Sequence, residues 1–265
     1  MPIRPLLFIV IAAVLLTAPA VAQVLPQPSA PYAPVGIVLP KPSTDPSFAA
    51  FRSAIAAAAK SRLYADLEAQ VQPQSFFWDR DFANAYDPKK PSIDNLAMAV
   101  ALEQRDGIGW DKLASFAEEK TLEPLDSRPG VFCAPARPTY DTVDFSRLLN
   151  ATYTSATDWA YPLTDGAPVR AAARANAPAI GQLMLQFVRH LGLQRAEGDA
   201  ATSGNPQASS QTNSQANPWA KVVLPDGKTG YVEPGHLSSL SVERLCYVKD
   251  MVAGWRIAGF IGGGS

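Results

Sequence analysis

Apolar positions recur at helical spacing through the first half of the chain. From Leu163 to Leu240 they give way to short runs of β-branched, aromatic and aliphatic residues separated by turn signals. Phe48, Phe51, Ile55 and Ala58 mark one face of a first helix, capped by Thr44 or Asp45, with Pro46 in the first turn where a missing N–H is tolerated. Leu63, Leu67 and Val71 continue as a second, short helix, and Phe76 to Asp79 reads as a strand. Ser92 opens a third helix with Ile93, Leu96, Ala97 and Val100 on one face, and Trp110, Leu113, Ala114 and Ala117 mark a fourth. Val131 to Ala134 reads as a strand stopped by Pro135. Asp144 caps a last helix carrying Phe145, Leu148 and Leu149, and Trp159-Ala160-Tyr161-Pro162 leads on from it.

In the second half, Val169, Ile180, Leu183, Val188, Trp219, Val222, Val223, Tyr231 and Val232 are residues that half-buried strands favour. Pro225-Asp226-Gly227 places a turn between Val222/Val223 and Tyr231/Val232, so these runs are expected to pair as an antiparallel hairpin. Gly230 permits close backbone approach where Tyr231 turns inward. After Leu240, the runs Leu245 to Lys249 and Trp255 to Ile261 flank a turn, which predicts a further hairpin that packs back onto the helical unit.

The second-half pattern resembles the bacterial SH3-like (SH3b) family. The corresponding stretches are a Val169-Arg170 strand, a hairpin over Ile180 to Val188, Trp219 to Val222, the Asp226-Gly227 turn, Gly230-Tyr231-Val232, and a short helical turn over Pro234 to Leu237. The resemblance covers about 75 residues by this span. It implies a small β-barrel that binds peptides or cell-wall material. The fold class expected for the whole is therefore α+β: a helix-rich domain over 45–160, an SH3-like β-barrel over 161–242, and a C-terminal hairpin over 243–265 returning to the helices.

The chain ends and linkers modify this picture. Met1 to Ala22 has a charge at Arg4, an apolar run from Leu6 to Leu16 and Ala20-Val21-Ala22 as a cleavage site, which reads as a secretory signal peptide leaving Gln23 first. The run is short for a bilayer span and no Cys follows it to take a lipid, so the expected location is periplasmic or secreted, without stable membrane insertion. The Pro-rich stretch 23–44 reads as a semi-rigid spacer, with too many prolines to build a packed element. Residues 195–218 contain almost no apolar side chain and read as a disordered insertion in the barrel.

Composition adds exclusions. With 47% hydrophobic residues and a net charge of −1, the chain has the makings of a core and no basic field for nucleic acid. Cys133 with His190 or His236 could be a peptidase pair, but Cys133 lies in a strand-like run and not at a helix N-terminus or beside a cation. The exported chain has one cysteine pair, so a Cys133–Cys246 disulfide is expected, clamping the helical unit to the C-terminal hairpin. Two His and two Cys at these positions show no zinc spacing, and no cofactor motif is present. Phe76-Phe77-Trp78-Asp79-Arg80-Asp81 offers carboxylates beside aromatics, for which solvated acids next to core rings are the default reading.

The ligand groove is expected where Trp219, Tyr231 and the Asp226-Gly227 turn approach one another, since aromatics beside a tight turn give apolar area with backbone donors. The function read from the sequence is non-enzymatic binding of peptidoglycan peptide or glycan. The alternatives are an adaptor for another envelope protein and a cell-wall hydrolase of unrecognised type.

Overall fold

The first helix follows directly from its sequence. In the structure, a computed structural model that describes residues 30–196, 218–233 and 235–264, a short strand β1 (Ile37–Val38) precedes α1 (Pro46–Ser61). Asp45 caps α1 by accepting the Ser47 N–H at 2.8 Å, Pro46 starts it, and Arg62 in the left-handed region ends it. Phe48, Phe51, Ile55, Ala58 and Ala59 are buried along one face, as the spacing predicts. Then follow α2 (Tyr64–Glu68), β2 (Phe77–Asp79), α3 (Ser92–Ala99), α4 (Ile108–Glu118), β3 (Glu123–Pro124) and β4 (Val131–Ala134). Next are β5 (Thr139–Tyr140) and α5 (Thr142–Thr152). The cap of α5 is Asp141, which accepts the N–H groups of Val143 and Asp144; the expected cap, Asp144, sits inside the first turn.

The remainder is β-structure: β6 (Trp159–Pro162), β7 (Ala167–Arg170), β8 (Ala179–Leu183), β9 (Val188–Gln194), β10 (Trp219–Val223), β11 (Thr229–Val232), β12 (Leu237–Ser239), β13 (Arg244–Asp250) and β14 (Gly254–Ile261). Among the described residues there are five α-helices and three sheets, a mixed α+β architecture in which no sheet closes into a barrel. The leader 1–22 and the 195–218 insertion, apart from Arg195, Ala196 and Pro218, lie outside the described residues. No helix among them is long and apolar enough to cross a membrane.

The first unit is a five-stranded sheet in the order β2-β14-β13-β4-β3, covered on one face by helices. Ile55 and Phe48 of α1, Leu96 of α3 and Leu113 of α4 pack with Leu245, Tyr247, Ile257 and Phe260 in one core. The C-terminal hairpin does return to the helical unit, and it does so as internal strands. β13 pairs with β4 on one side and β14 on the other, while β14 also pairs in parallel with β2. Alternation along β13 sends Leu245 and Tyr247 to the helices and Cys246 to the back face, with Cys133, Phe77, Val131 and Ile261. Arg244 at the start of β13 is 4% exposed and meets Glu123, which also accepts from Arg137 at 2.7 Å.

Cys133 and Cys246 are bonded to each other. They are direct partners in the β4–β13 ladder with Cα atoms 4.0 Å apart, so the bridge reinforces two strands already paired and does not clamp two separate bodies.

The second unit is a seven-stranded antiparallel sheet in the order β12-β6-β9-β10-β11-β7-β8. The Pro225-Asp226-Gly227 hairpin forms as expected, pairing Val223 with Thr229 and Ala220 with Val232. Successive residues divide between the two faces. Val222 joins Val169, Val188 and Val232 in one cluster; Val223 joins Trp159, Tyr161 and Phe187 in another. Gly230 faces the first cluster, where an added Cβ would lie 2.4 Å from Val169 Cγ1. Tyr231, between Gly230 and Val232, therefore points the other way and is half-buried, contrary to the inward orientation expected. No hairpin forms over Ile180 to Val188: β8 pairs with β7, and β9 pairs with β6 and β10. Pro234 lies outside the described residues, and the following Gly235-His236 turn runs straight into β12, with no helix.

The residues that would have paired β8 to β9 instead receive the Pro-rich segment. Ile37 N–H donates to Leu185 C=O at 2.9 Å, Phe187 N–H to Val35 C=O at 2.9 Å, and β1 pairs with β5. Tyr32, Val35 and Ile37 are buried with Phe145 and Leu148 of α5 against Trp159, Tyr161 and Phe187. Ser43 N–H donates to Lys120 C=O in the first unit, so residues 30–43 are a packed strap between the units and not a spacer. Its prolines give up donors that an extended strap can spare, while Tyr32, Val35 and Ile37 point into the sheet. Because α5 belongs with this sheet, the first unit ends before Thr139, not at residue 160, and resumes at β13. The second unit is an insertion within it.

Replacing both Cys133 and Cys246 by Ala is expected to lower the unfolding free energy by up to about 4 to 5 kcal/mol, the chain-entropy scale for a loop of this length. Urea denaturation with and without reductant measures this, and the β4–β13 ladder is expected to remain in the folded reduced protein. Its loss by amide exchange would show that the bridge, and not the ladder, holds the strands.

Candidate functional site

A β-bulge builds a cleft on the second sheet. His190 of β9 pairs with Val222, and Leu193 pairs with Ala220, so β9 takes three steps where β10 takes two. In a regular strand residues three apart face opposite sides; the extra residue turns His190 and Leu193 to the same side. Gly192, with φ +112°, supplies the backbone conformation that the bulge requires. On that side Ala160 and Ala220 present only methyl groups, which leaves depth over β6, β9 and β10.

The resulting cleft has a volume of about 400 Å³ and is bounded by Pro218, Glu233 and Gly235 on one side and by Leu237, Ser238 and Ser239 of β12 on the other. Glu233 Oε1 lies 3.4 Å from Arg170 Nε, and Arg170 Nη1 donates to Ala177 C=O at 3.0 Å, so the arginine is fixed and draws the carboxylate toward it. His190 is half-buried, and its pKa is held below the ordinary histidine value, chiefly by desolvation and in spite of an opposing contribution from Gly192. Its imidazole is therefore neutral at pH 7. The cleft combines an anionic acceptor, a neutral imidazole, the Ser239 hydroxyl and apolar walls, which suits a ligand with hydrogen-bond donors and short apolar segments.

The residues expected to form the groove are not brought together. Trp219 is 5% exposed at the start of β10, and by alternation it faces away from Ala220 and the cleft. The Asp226-Gly227 turn lies beyond the opposite end of β10; Trp219 and Val223 alone are about 13 Å apart at ordinary strand rise. Tyr231 stands opposite Lys221 and Arg170 in the middle of the sheet. The turn is engaged by the strap: Tyr32 N–H donates to Pro225 C=O at 3.1 Å and its hydroxyl to Val223 C=O at 2.8 Å. Glu233, His190, Leu193 and β12 were not singled out as ligand residues from the sequence. The available signal was Leu191-Gly192-Leu193, a glycine inside a strand run.

Other chemical candidates resolve into structure. Cys133 is bridged and inaccessible, so it offers no thiolate. Among the described residues no group of three or more His, Cys, Asp and Glu is arranged to hold a metal ion. Phe76, Phe77 and Trp78 are buried, Asp79 lies 3.5 Å from Arg128, and Arg128 stacks on Phe77 at 4.1 Å, which leaves no sugar platform there. A cleft of about 430 Å³ beside Phe132 and Trp255 has its charged groups paired with each other and its indole N–H already engaged. Asp45 and Lys249 pair at 2.7 Å, and Trp255 Nε1 donates to Ser47 Oγ. Comparison of the chain with protein-family models, curated proteins and solved structures finds no match.

The lowered pKa of His190 has a defined sign. A histidine depressed in the folded state binds its proton more readily when unfolded, so its contribution is present above about pH 6.5 and is lost as pH falls through the folded pKa. His190→Asn is expected to flatten the fall in unfolding free energy between pH 7 and pH 5 relative to the wild type. Parallel denaturant titrations at both pH values measure this, and identical slopes for the two proteins would contradict the burial argument.

Proposed function

We propose that this chain is a non-enzymatic protein of the cell envelope, periplasmic or secreted, whose seven-stranded sheet is an SH3-like module that holds cell-wall peptide or glycan in the cleft between β12 and Glu233. The observation that carries the reading is the bulge-built cleft itself, in which His190, Glu233 and Ser239 converge from separate elements on small alanine floors. A ligand site needs such convergence, whereas a sheet serving only as core has no use for a half-buried imidazole beside a tethered carboxylate.

Two features support the finer parts of the proposal. The β10–β11 hairpin through Pro225-Asp226-Gly227 is one element of the pattern that the SH3-like resemblance implies. The leader pattern of Met1 to Ala22 supports export. An adaptor function, in which the same cleft takes a segment of another envelope protein, is the competing reading.

Sedimentation of the purified protein with insoluble peptidoglycan, beside capture from envelope extract, separates the two readings. Retention by peptidoglycan is expected, with Glu233→Gln weakening it at least tenfold while leaving the thermal transition unchanged within a few degrees. Capture of an envelope protein with no retention by peptidoglycan would favour the adaptor. Release of soluble fragments from the peptidoglycan would contradict a non-enzymatic function.

A further inference from the structure

Among the described residues β12 is an edge strand, paired with β6 on one side only. Its ladder shows which backbone groups are free. Leu163 N–H donates to His236 C=O at 2.9 Å, which makes His236 opposite Leu163 a hydrogen-bonded pair. Antiparallel pairs alternate, so Ser238 opposite Tyr161 is the next hydrogen-bonded pair, and Leu237 and Ser239 direct their N–H and C=O groups away from β6. Pro162, which has no N–H, stands opposite Leu237 and agrees with this assignment.

Clefts lie on both faces of this edge. On one face is the cleft of Glu233 and His190, bounded by Leu237 and Ser239. On the other is a cleft of about 290 Å³ between the units, lined by Ser238, Tyr161, Leu163, Thr121, Pro40 and Glu119. Ser238 borders both. Glu119 is held at the rim of the second cleft, its Oε1 accepting from the N–H groups of Lys120 and Thr121 and from the Thr121 hydroxyl. Each cleft thus has one carboxylate at its border.

We propose that β12 takes an extended peptide as an added strand, its backbone pairing with Leu237 and Ser239 and its alternate side chains entering the two clefts. The inference rests on the first cleft being a ligand site and narrows that ligand to a peptide with basic side chains. A strand adjoining this edge sends successive residues to opposite faces, which is how the two clefts are distributed. A glycan chain presents neither the alternating amide donors that the edge would pair with nor an ammonium for Glu233 and Glu119.

The test uses the intact protein and an acetylated, amidated lysine–valine hexapeptide with two adjacent lysines at its centre, which places one lysine on each face of the added strand, and a glutamate–valine counterpart with glutamates in place of the lysines. With lysine–valine peptide at saturation, the amides of Leu237 and Ser239 are expected to exchange with solvent at least tenfold more slowly, while Ser238, already paired to β6, changes little. Two peptides N-methylated at every second amide, in the two alternating registers, are expected to differ. One loses at least tenfold in affinity and the other binds like the parent. The glutamate–valine peptide is expected to bind at least tenfold more weakly at low ionic strength. Binding without protection of Leu237 and Ser239, or equal effects of the two N-methylated registers, overturns strand addition. If peptidoglycan retains the protein while none of the hexapeptides binds, strand addition falls and the cleft reading stands; if neither binds, both fall.

Discussion

The arrangement depends on the pairing of β13 between β4 and β14. That pairing closes the first unit from chain segments that are far apart in sequence, and it places Leu245, Tyr247 and Ile257 under α1, α3 and α4. Without it the helices would present Phe48, Ile55, Leu96 and Leu113 to solvent on the side where the sheet now lies. The hydrophobic contribution of such side chains is about 1.5 to 3 kcal/mol each on full burial, so losing four is comparable to the whole net stability of a domain. The second unit follows as a consequence. Its chain leaves the first unit after β4 and re-enters at β13, so both of its ends are fixed on one sheet, and the strap from Tyr32 to Ser43 adds a third tie.

These ties position the candidate site. β12 is followed within a few residues by β13, so the edge strand lies close to the first unit, and Glu119, Thr121 and Pro135 of that unit form one wall of the second cleft. The strap also closes the face of the second sheet that carries Trp159 and Phe187, with the Tyr32 and Trp159 ring centroids 4.9 Å apart in an edge-to-face arrangement. On the proposed function, ligand contact is consequently directed to the Ala160 and Ala220 face and to the edge of β12.

Much of this was legible in the sequence where the interaction is local. The stripe Phe48, Phe51, Ile55 and Ala58, with Asp45 and Pro46 before it, specifies α1 because cap, propensity and period agree. The Pro225-Asp226-Gly227 turn sets the β10–β11 register for the same reason. The cysteine pair was legible from the presence of two cysteines and the export that the leader pattern leads one to expect. What was hidden is non-local. Tyr32, Val35 and Ile37 follow neither a helical nor a strand period, and their burial depends on Met184 to Phe187 being left unpaired by β8, which no local signal announces. The cleft depends on one inserted residue at Gly192, and a one-residue change of register moves every side chain beyond it to the other face. Trp219 and Tyr231 were plausible ligand aromatics only while their faces were unknown.

Native-state amide exchange on the intact protein tests the central claim most directly, by comparing Tyr247 and Ile257 in the C-terminal hairpin with Ile55 in α1 and Leu96 in α3. A hairpin that forms the interior of the first sheet opens only with the helices it supports, so the four amides are expected to report the same opening free energy, with equal slopes in denaturant. Exchange at Tyr247 and Ile257 about a hundredfold faster than at Ile55, in a protein whose helices stay protected, would show that the hairpin is an appendage and would contradict the account.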